Sequence, residues 1–368
     1  MTQQLYLAYT PGELRLAVVQ DDELLDYTLW RPDFPDGVGD LYHGRIATLV
    51  PAMGGAFVNI GLGGQQGFLS LSGNQAKLTE GHNLIVQVTR AALGGKGLRL
   101  RLPQGTQPDL PASSQPGLIS RGPTPLERLA QLWPQAELCA DSPEAAALIP
   151  PALRDRRRRL FQPVPASINQ ACDALADTIV TLPGKMSASI TPTPALIAID
   201  MDAPPSASGQ TKQTAQFAAN RDALPVLLHQ IRLRNLSGAI LIDPAGLAVK
   251  KRQALLEPVR AMLKADPLQP RCLDITALGL IEIVRARIHP SLPELLTSPQ
   301  GRALAALRAM CSEDAAQATQ LRGSLRLIAI LETIPQTVAD CARLRGKPFT
   351  LKSDPSLPDL SWRTDTND

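Results

Sequence analysis

An α/β fold that also carries a small β-barrel is predicted from three features of the chain. The first is a pair of short apolar runs that each end in aspartate. Ala195–Ile199 is followed by Asp200 and Asp202, and Gly238–Ile242 is followed by Asp243. The second is a segment of short, glycine-punctuated apolar stretches over 38–103. The third is a β-rich start over residues 3–30.

Short apolar runs bounded by polar residues suit buried strands of a parallel pair. A helical pattern over Gln213–Leu233 separates the two runs. The resulting strand–helix–strand unit places both strand ends on one edge of a sheet, where ligands bind in open α/β sheets. Carboxylates gathered there suit Mg²⁺, a hard cation that prefers oxygen ligands and retains waters. An aspartate after a strand also serves as a turn former or helix cap, so this pattern leaves both readings open.

Composition narrows the class. The chain has 368 residues, enough for two to three domains with ample core, and 44% are apolar. Aromatic residues make up only 4%, and 33 prolines imply abundant turns. A net charge of +3 means that a nucleic-acid surface needs clustered rather than dispersed cations. The cysteines, Cys139, Cys172, Cys272, Cys311 and Cys341, form no Cys-x-x-Cys pair, which excludes a zinc site built on one and argues against a disulfide framework. The histidines His43, His82, His229 and His289 show no metal-ligand spacing. No apolar run reaches membrane-spanning length, and the first residues lack a signal-peptide pattern, so a soluble cytoplasmic protein is expected.

Taken in order, Gln4–Ala8, Glu13–Val19 and Glu23–Leu29 read as hairpin strands separated by Thr10-Pro-Gly and Gln20-Asp-Asp. Residues 38–103 suggest a small closed barrel. Phe57 and Phe68 stand on strands separated by a glycine-rich turn, flanked by Tyr42, Arg45, Arg90 and Lys96. Exposed rings on a basic-rimmed face would stack the bases of single-stranded RNA while the cations track its phosphates; two core phenylalanines would read the same way. Residues 104–124 are rich in Pro, Gly and Ser and read as a linker or surface loop. Helical patterns follow at Pro125–Leu132, Ser142–Leu148 and Ala166–Thr181. Between them Arg154–Arg159 is the densest positive cluster, suited to phosphate contact or to a solvated face. Gly246–Ala265 reads as an amphipathic helix with Lys250, Lys251 and Arg252 outward. Further helices are expected at Gly301–Met310 and Thr333–Leu344, with Gly323–Ile330 a strand between them and the tail 356–368 frayed.

Several of these stretches resemble the ribonuclease E/G family. Its barrel pattern is matched by Tyr42-His-Gly44-Arg45-Ile, Ala56-Phe57-Val58-Asn59-Ile60-Gly61, Gly67-Phe68-Leu69 and Lys96-Gly97. Its later motifs are matched by Ile199-Asp200-Met-Asp202, Ile231-Arg232-Leu-Arg234-Asn235-Leu-Ser-Gly238, Leu241-Ile242-Asp243 and Gly279-Leu-Ile-Glu282-Ile-Val-Arg285-Ala-Arg287. The matches keep the family's order from near residue 3 to about residue 295.

The resemblance implies RNase H-like and DNase I-like subdomains with an inserted S1-type OB-fold barrel. The expected division is 1–37 and 125–180 for the RNase H-like part, 38–103 for the barrel and 104–124 for a linker or 5′-sensor remnant. The DNase I-like catalytic part then covers 181–298, and a C-terminal helical region 299–368. It further implies a Mg²⁺-dependent endoribonuclease acting on single-stranded RNA, with Asp200 and Asp243 as metal ligands and Asp202 beside them. Phe57, Phe68 and Lys96 would contact RNA, with Tyr42, Arg45 and Arg90 around them.

The chain also departs from the family pattern. Gly117–Arg121 resembles the start of the family's 5′-sensor, but the Val-Arg-Thr motif that holds a 5′ phosphate has no counterpart, so cleavage independent of the 5′ end is expected. The Cys-Pro-x-Cys-like zinc-link is absent, so a monomer or metal-independent dimer is expected in place of a zinc-linked tetramer. Asp202 replaces an Asn, removing a donor and adding a charge. Ala203–Gly209 replaces a stretch carrying two arginines. These last changes support the alternative of a non-catalytic RNA-binding protein derived from such an ancestor.

Overall fold

The computed structural model describes residues 3–71, 78–92, 94–104, 115–204 and 212–366. The chain opens with three antiparallel strands, β1 (Gln4–Thr10), β2 (Glu13–Gln20) and β3 (Glu23–Trp30). Asp21 and Asp22 both take positive φ between paired Gln20 and Glu23, the two-residue turn whose twist matches a hairpin.

The barrel follows: β4 (Leu41–Val50), β5 (Gly55–Leu62), β6 (Gln65–Ser70), β7 (Asn83–Arg90) and β8 (Arg99–Arg101). The order β5-β6-β8-β7-β4 closes through β4–β5 pairing, giving five strands consistent with an OB-type barrel. Its interior is filled by Tyr42, Ile46, Val58, Ile60, Leu69, Val86 and Leu100 among others. A further strand, β9 (Gly117–Ser120), lines the outside of β4. Buried Asp40 fastens the two ends of this segment together. Its carboxylate accepts from Arg121 Nη1 at 2.7 Å, the Gly122 N–H at 2.8 Å and the Tyr42 hydroxyl at 3.3 Å. Gly39, at φ +91, lies so close to Gly122 that a Cβ would stand 3.1 Å from its Cα, so any side chain there would be strained.

Helix α1 (Pro125–Leu132) is opened by a Thr124–Glu127 capping box, and β10 (Glu137–Ala140) then pairs parallel with β1. The chain therefore returns to its first sheet, whose order is β10-β1-β2-β3. Helix α2 (Pro143–Ala147), capped by Ser142, joins α1 on one face over Leu5, Leu7, Leu14 and Leu16. Helix α3 (Ala166–Asp173) covers the other face over Tyr6, Ala17 and Tyr27.

The next sheet contains β11 (Ile179–Leu182), β12 (Met186–Pro192) and β13 (Ile197–Asp202). Helix α4 (Lys212–Leu233) leads to β14 (Gly238–Asp243), α5 (Val249–Arg252) and α6 (Leu256–Leu263). Strands β15 (Arg271–Ile275) and β16 (Ile281–Arg285) complete the order β11-β12-β13-β14-β16-β15. Only β13 and β14 run parallel, as the strand–helix–strand reading requires. Alternation buries Ile197, Ile199, Met201, Ile240 and Ile242 against α4 and α6, turning the intervening residues to the opposite face.

The remaining elements are α7 (Leu292–Thr297), α8 (Pro299–Met310), β17 (Gln320–Gly323), α9 (Leu325–Glu332), α10 (Pro335–Arg345), β18 (Thr350–Ser353) and β19 (Trp362–Asp365). The last three helices and the sheet β18-β17-β19 share a core of Leu304, Leu307, Leu321, Leu327 and Leu331. The five cysteines are all free thiols. Among the described residues no helix is long and apolar enough to cross a membrane.

Four expectations are corrected. The run Gly323–Ile330 is not a strand: Ser324 caps α9, and Leu327, Ile328 and Leu331 bury one helical face. A short apolar run fits either period, and the capping serine decides it. The tail is not frayed across its length, because Trp362–Asp365 pairs antiparallel with β17. The helix expected to reach Thr181 ends at Asp173; Val180 and Leu182 instead alternate on β11. The helix expected over 246–265 is also interrupted, with Gly246 at positive φ and a 3₁₀ turn at Gln253–Leu255.

Candidate active face and nucleic-acid interface

The register places Asp200 and Asp243 side by side. They are direct partners at the carboxyl ends of parallel β13 and β14, with the strands about 4.8 Å apart. Both side chains lie on the sheet face away from α4 and α6, because their neighbours Ile199 and Ile242 are buried in that core. Asp202 occupies the same face one alternation further along, opposite Ser187 of β12, while Ser189 stands opposite Asp200. Glu282, opposite Leu241 on β16, brings another carboxylate to this face. Among the described residues, no group of three or more His, Cys, Asp or Glu side chains gathers closely enough to hold a metal ion.

Arg252 holds Asp243 directly, and two residues of α4 hold the backbone that follows it. Arg252 donates Nη1 to Asp243 Oδ1 and to the Gly279 carbonyl, both at 2.7 Å, and Nε to the Leu247 carbonyl at 2.8 Å. Its side chain is 12% exposed against 46% for Asp243, so it is not the outward cation expected from helical periodicity. Asn220 of α4 is fully buried. It donates Nδ2 to the Ala245 carbonyl and accepts the Ala245 N–H at Oδ1, both at 2.9 Å. Gln213 similarly bonds the Gly246 carbonyl and the Ala248 N–H, each at 3.0 Å. The first turns of α4 thus hold the backbone that follows Asp243. Sequence reading missed Asn220, since a lone Asn within a helical pattern carries no signal without its partner. Ala203 and Pro204 continue from β13, while 205–209 of the substituted stretch lie outside the described residues.

On the barrel, Phe57 and Phe68 are cross-strand partners. Their ring centroids lie 5.4 Å apart, edge to face, and the flanking Ala56, Val58 and Leu69 fill the core. Both rings therefore belong to the outer face, which resolves the ambiguity in the sequence. The Arg99 guanidinium lies 5.1 Å from the Phe68 centroid, and Lys96 is exposed nearby on the turn before β8. Arg45 donates Nε to Asn83 at 3.1 Å. Burial holds the Arg90 pKa below its ordinary value, reinforced by the like charges of Arg99 and Arg287. Tyr42 differs from the others: its ring is 2% exposed within the core, and it supports the barrel wall rather than facing solvent.

A cavity of about 420 Å³ lies elsewhere, lined by Trp30, Phe34, Arg128, Leu129 and His289 among others. Neither Asp200 nor Asp243 borders it. The aspartates stand on an open sheet face, a geometry suited to a polymer laid across it rather than an enclosed small molecule.

Residues 142–288 match the model described as the Ribonuclease E/G family. Ribonuclease G of Haemophilus influenzae is 23% identical over 399 residues, covering 80% of this chain and 81% of that protein. Ribonuclease G of Escherichia coli is likewise 23% identical over 402 residues, covering 80% and 82%. Ribonuclease E of Escherichia coli is 33% identical over 116 residues, covering 31% of this chain but 11% of that longer protein.

Proposed function

The chain belongs to the ribonuclease E/G family, and from that premise we propose that it is a Mg²⁺-dependent endoribonuclease acting on single-stranded RNA without need of a 5′ phosphate. The observation that carries the reading is the pairing of Asp200 with Asp243 on an open sheet face. The donor set fits the ion. Mg²⁺ is held by one or two carboxylates, keeps several waters and takes phosphate oxygens from the substrate, so a third protein carboxylate is not required. When bound, such an ion neutralises phosphate charge and makes a coordinated water more acidic.

The chain's own residues supply placement. Asp200 and Asp243 present carboxylate oxygens from backbone positions fixed by a parallel ladder. Arg252 orients the Asp243 carboxylate, and Asn220 prevents the turn beyond it from shifting. Phe57 and Phe68 offer stacking faces for two bases, with Lys96, Arg99 and Arg90 following the phosphates. We assign the expected RNase H-like and DNase I-like subdomains to the first sheet and the β11–β16 sheet, with the S1-type barrel inserted between parts of the former.

Positioning of this kind makes Asn220→Ala informative. It leaves the Ala245 N–H and carbonyl without their buried partner, at a cost of about 1–3 kcal/mol in stability. Loss of such outer support is expected to slow cleavage about 10–100-fold. Thermal melts and cleavage rates under saturating Mg²⁺ check both effects; unchanged values would remove Asn220 from the site.

The reading itself is tested with an AU-rich single-stranded RNA bearing either a 5′ hydroxyl or a 5′ monophosphate, in Mg²⁺ and in EDTA. Internal cuts that need Mg²⁺ and proceed at equal rates on both RNAs are expected. A strong preference for the monophosphate would remove the 5′-independence. Binding without cleavage would support the non-catalytic alternative, which the replaced arginines of 203–209 favour.

A further inference from the structure

The arginine-rich run after α2 divides into two groups in the folded chain. Arg156 is structural: it donates to the carbonyls of Ala130, Trp133 and Ala136 at 2.7–3.2 Å, closing the turn that follows α1. Arg158 is paired with Glu137 at 2.6 Å and donates to Gln162 at 3.1 Å. Arg154, Arg157 and Arg159 have no carboxylate partner among the described residues. Arg154 and Arg159 are exposed, and the Arg157 guanidinium sits 5.9 Å from the centroid of the half-exposed Phe161 ring.

Backbone pairing displays this group. The Arg158 N–H donates to the Leu138 carbonyl and the Gln162 N–H to the Ala140 carbonyl, so residues 157–162 run beside edge strand β10. Leu160, at 83% exposure, and Phe161, at 47%, are apolar groups left outside any core cluster. Asp155 is the one acid within the run, and Glu137 on the neighbouring strand is already paired with Arg158.

We propose that this strip, residues 154–161, is a second contact for single-stranded RNA, holding phosphates through Arg154, Arg157 and Arg159 and stacking a base on Phe161. Uncompensated guanidiniums beside an accessible ring meet the two demands of a single strand, a charged backbone and flat bases. The inference rests on RNA being the substrate and adds a contact away from the barrel.

The test is binding of labelled poly(A) in EDTA across a KCl series. With about 0.7 of the log–log salt slope per phosphate contact, R154A/R157A/R159A is expected to flatten the slope by about 2. Phe161→Ala should weaken binding about tenfold, at one decade per about 1.4 kcal/mol. The corresponding triple lysine variant should keep the wild-type slope. An unchanged slope in the alanine triple, or a slope lost equally by the lysine triple, overturns the proposal while leaving the nuclease reading intact. Loss of sedimentation with phosphatidylserine vesicles, with RNA binding unaltered, would reassign the strip to a membrane surface. Failure of the wild-type protein to bind RNA would overturn both readings.

Discussion

If the proposed function holds, replacing Asp243 by Asn is expected to slow cleavage severely while leaving RNA binding and the fold in place. An amide oxygen still accepts from Arg252 Nη1, and that guanidinium keeps the Gly279 and Leu247 carbonyls. The variant therefore loses a charge on a half-exposed side chain and no packing. A bound metal contributes several kcal/mol of charge stabilisation in the transition state. At a decade of rate per about 1.4 kcal/mol, losing its carboxylate should lower the rate constant about 10³-fold. Asp200→Asn should match it, because the two positions are equivalent partners in the ladder. Single-turnover cleavage beside an RNA binding isotherm is the measurement. Cleavage surviving in both variants would show that the chemistry lies elsewhere.

The double substitution Phe57→Ala, Phe68→Ala is expected to have the opposite signature. Each stacked base contributes about 1–3 kcal/mol, so losing both platforms should weaken binding about 100-fold or more. The rings project from the barrel rather than filling it, so the melting temperature should change little. Affinity measured at fixed salt, together with a melt, separates this from a packing role. Unaltered affinity would mean that RNA follows another path.

The aspartate-ended strands were legible because apolar runs, a helical spacer and a terminal carboxylate are local patterns, and the fold adds only their register. The outward placement of Phe57 was implicit in its alternation with Ala56 and Val58, but alternation alone does not say which side is core. Tyr42 shows that limit, since it shares β4 with the outward-facing Arg45 yet points inward. Arg252 and Asn220 were illegible for a different reason. Their partners are Asp243, Gly279 and Ala245, and only the tertiary return of α4 and α5 to the strand end brings them together. The misread strand at Gly323–Ile330 and the unforeseen β19 likewise depended on context, a serine cap in one case and an unpaired strand edge in the other.

The fastening at Asp40 has a consequence for how this chain was assembled. The backbone leaves and rejoins its host at Gly39 and Gly122, where the two segments touch. The length penalty on loop closure applies to a flexible chain; a folded barrel whose ends are fixed side by side acts toward the first sheet as a tight connection. Strands β1, β2, β3 and β10 meet without any barrel strand intervening. The barrel is therefore a cassette: a recombination event at this stem could exchange it for another closed module, leaving the host sheet's pairing untouched.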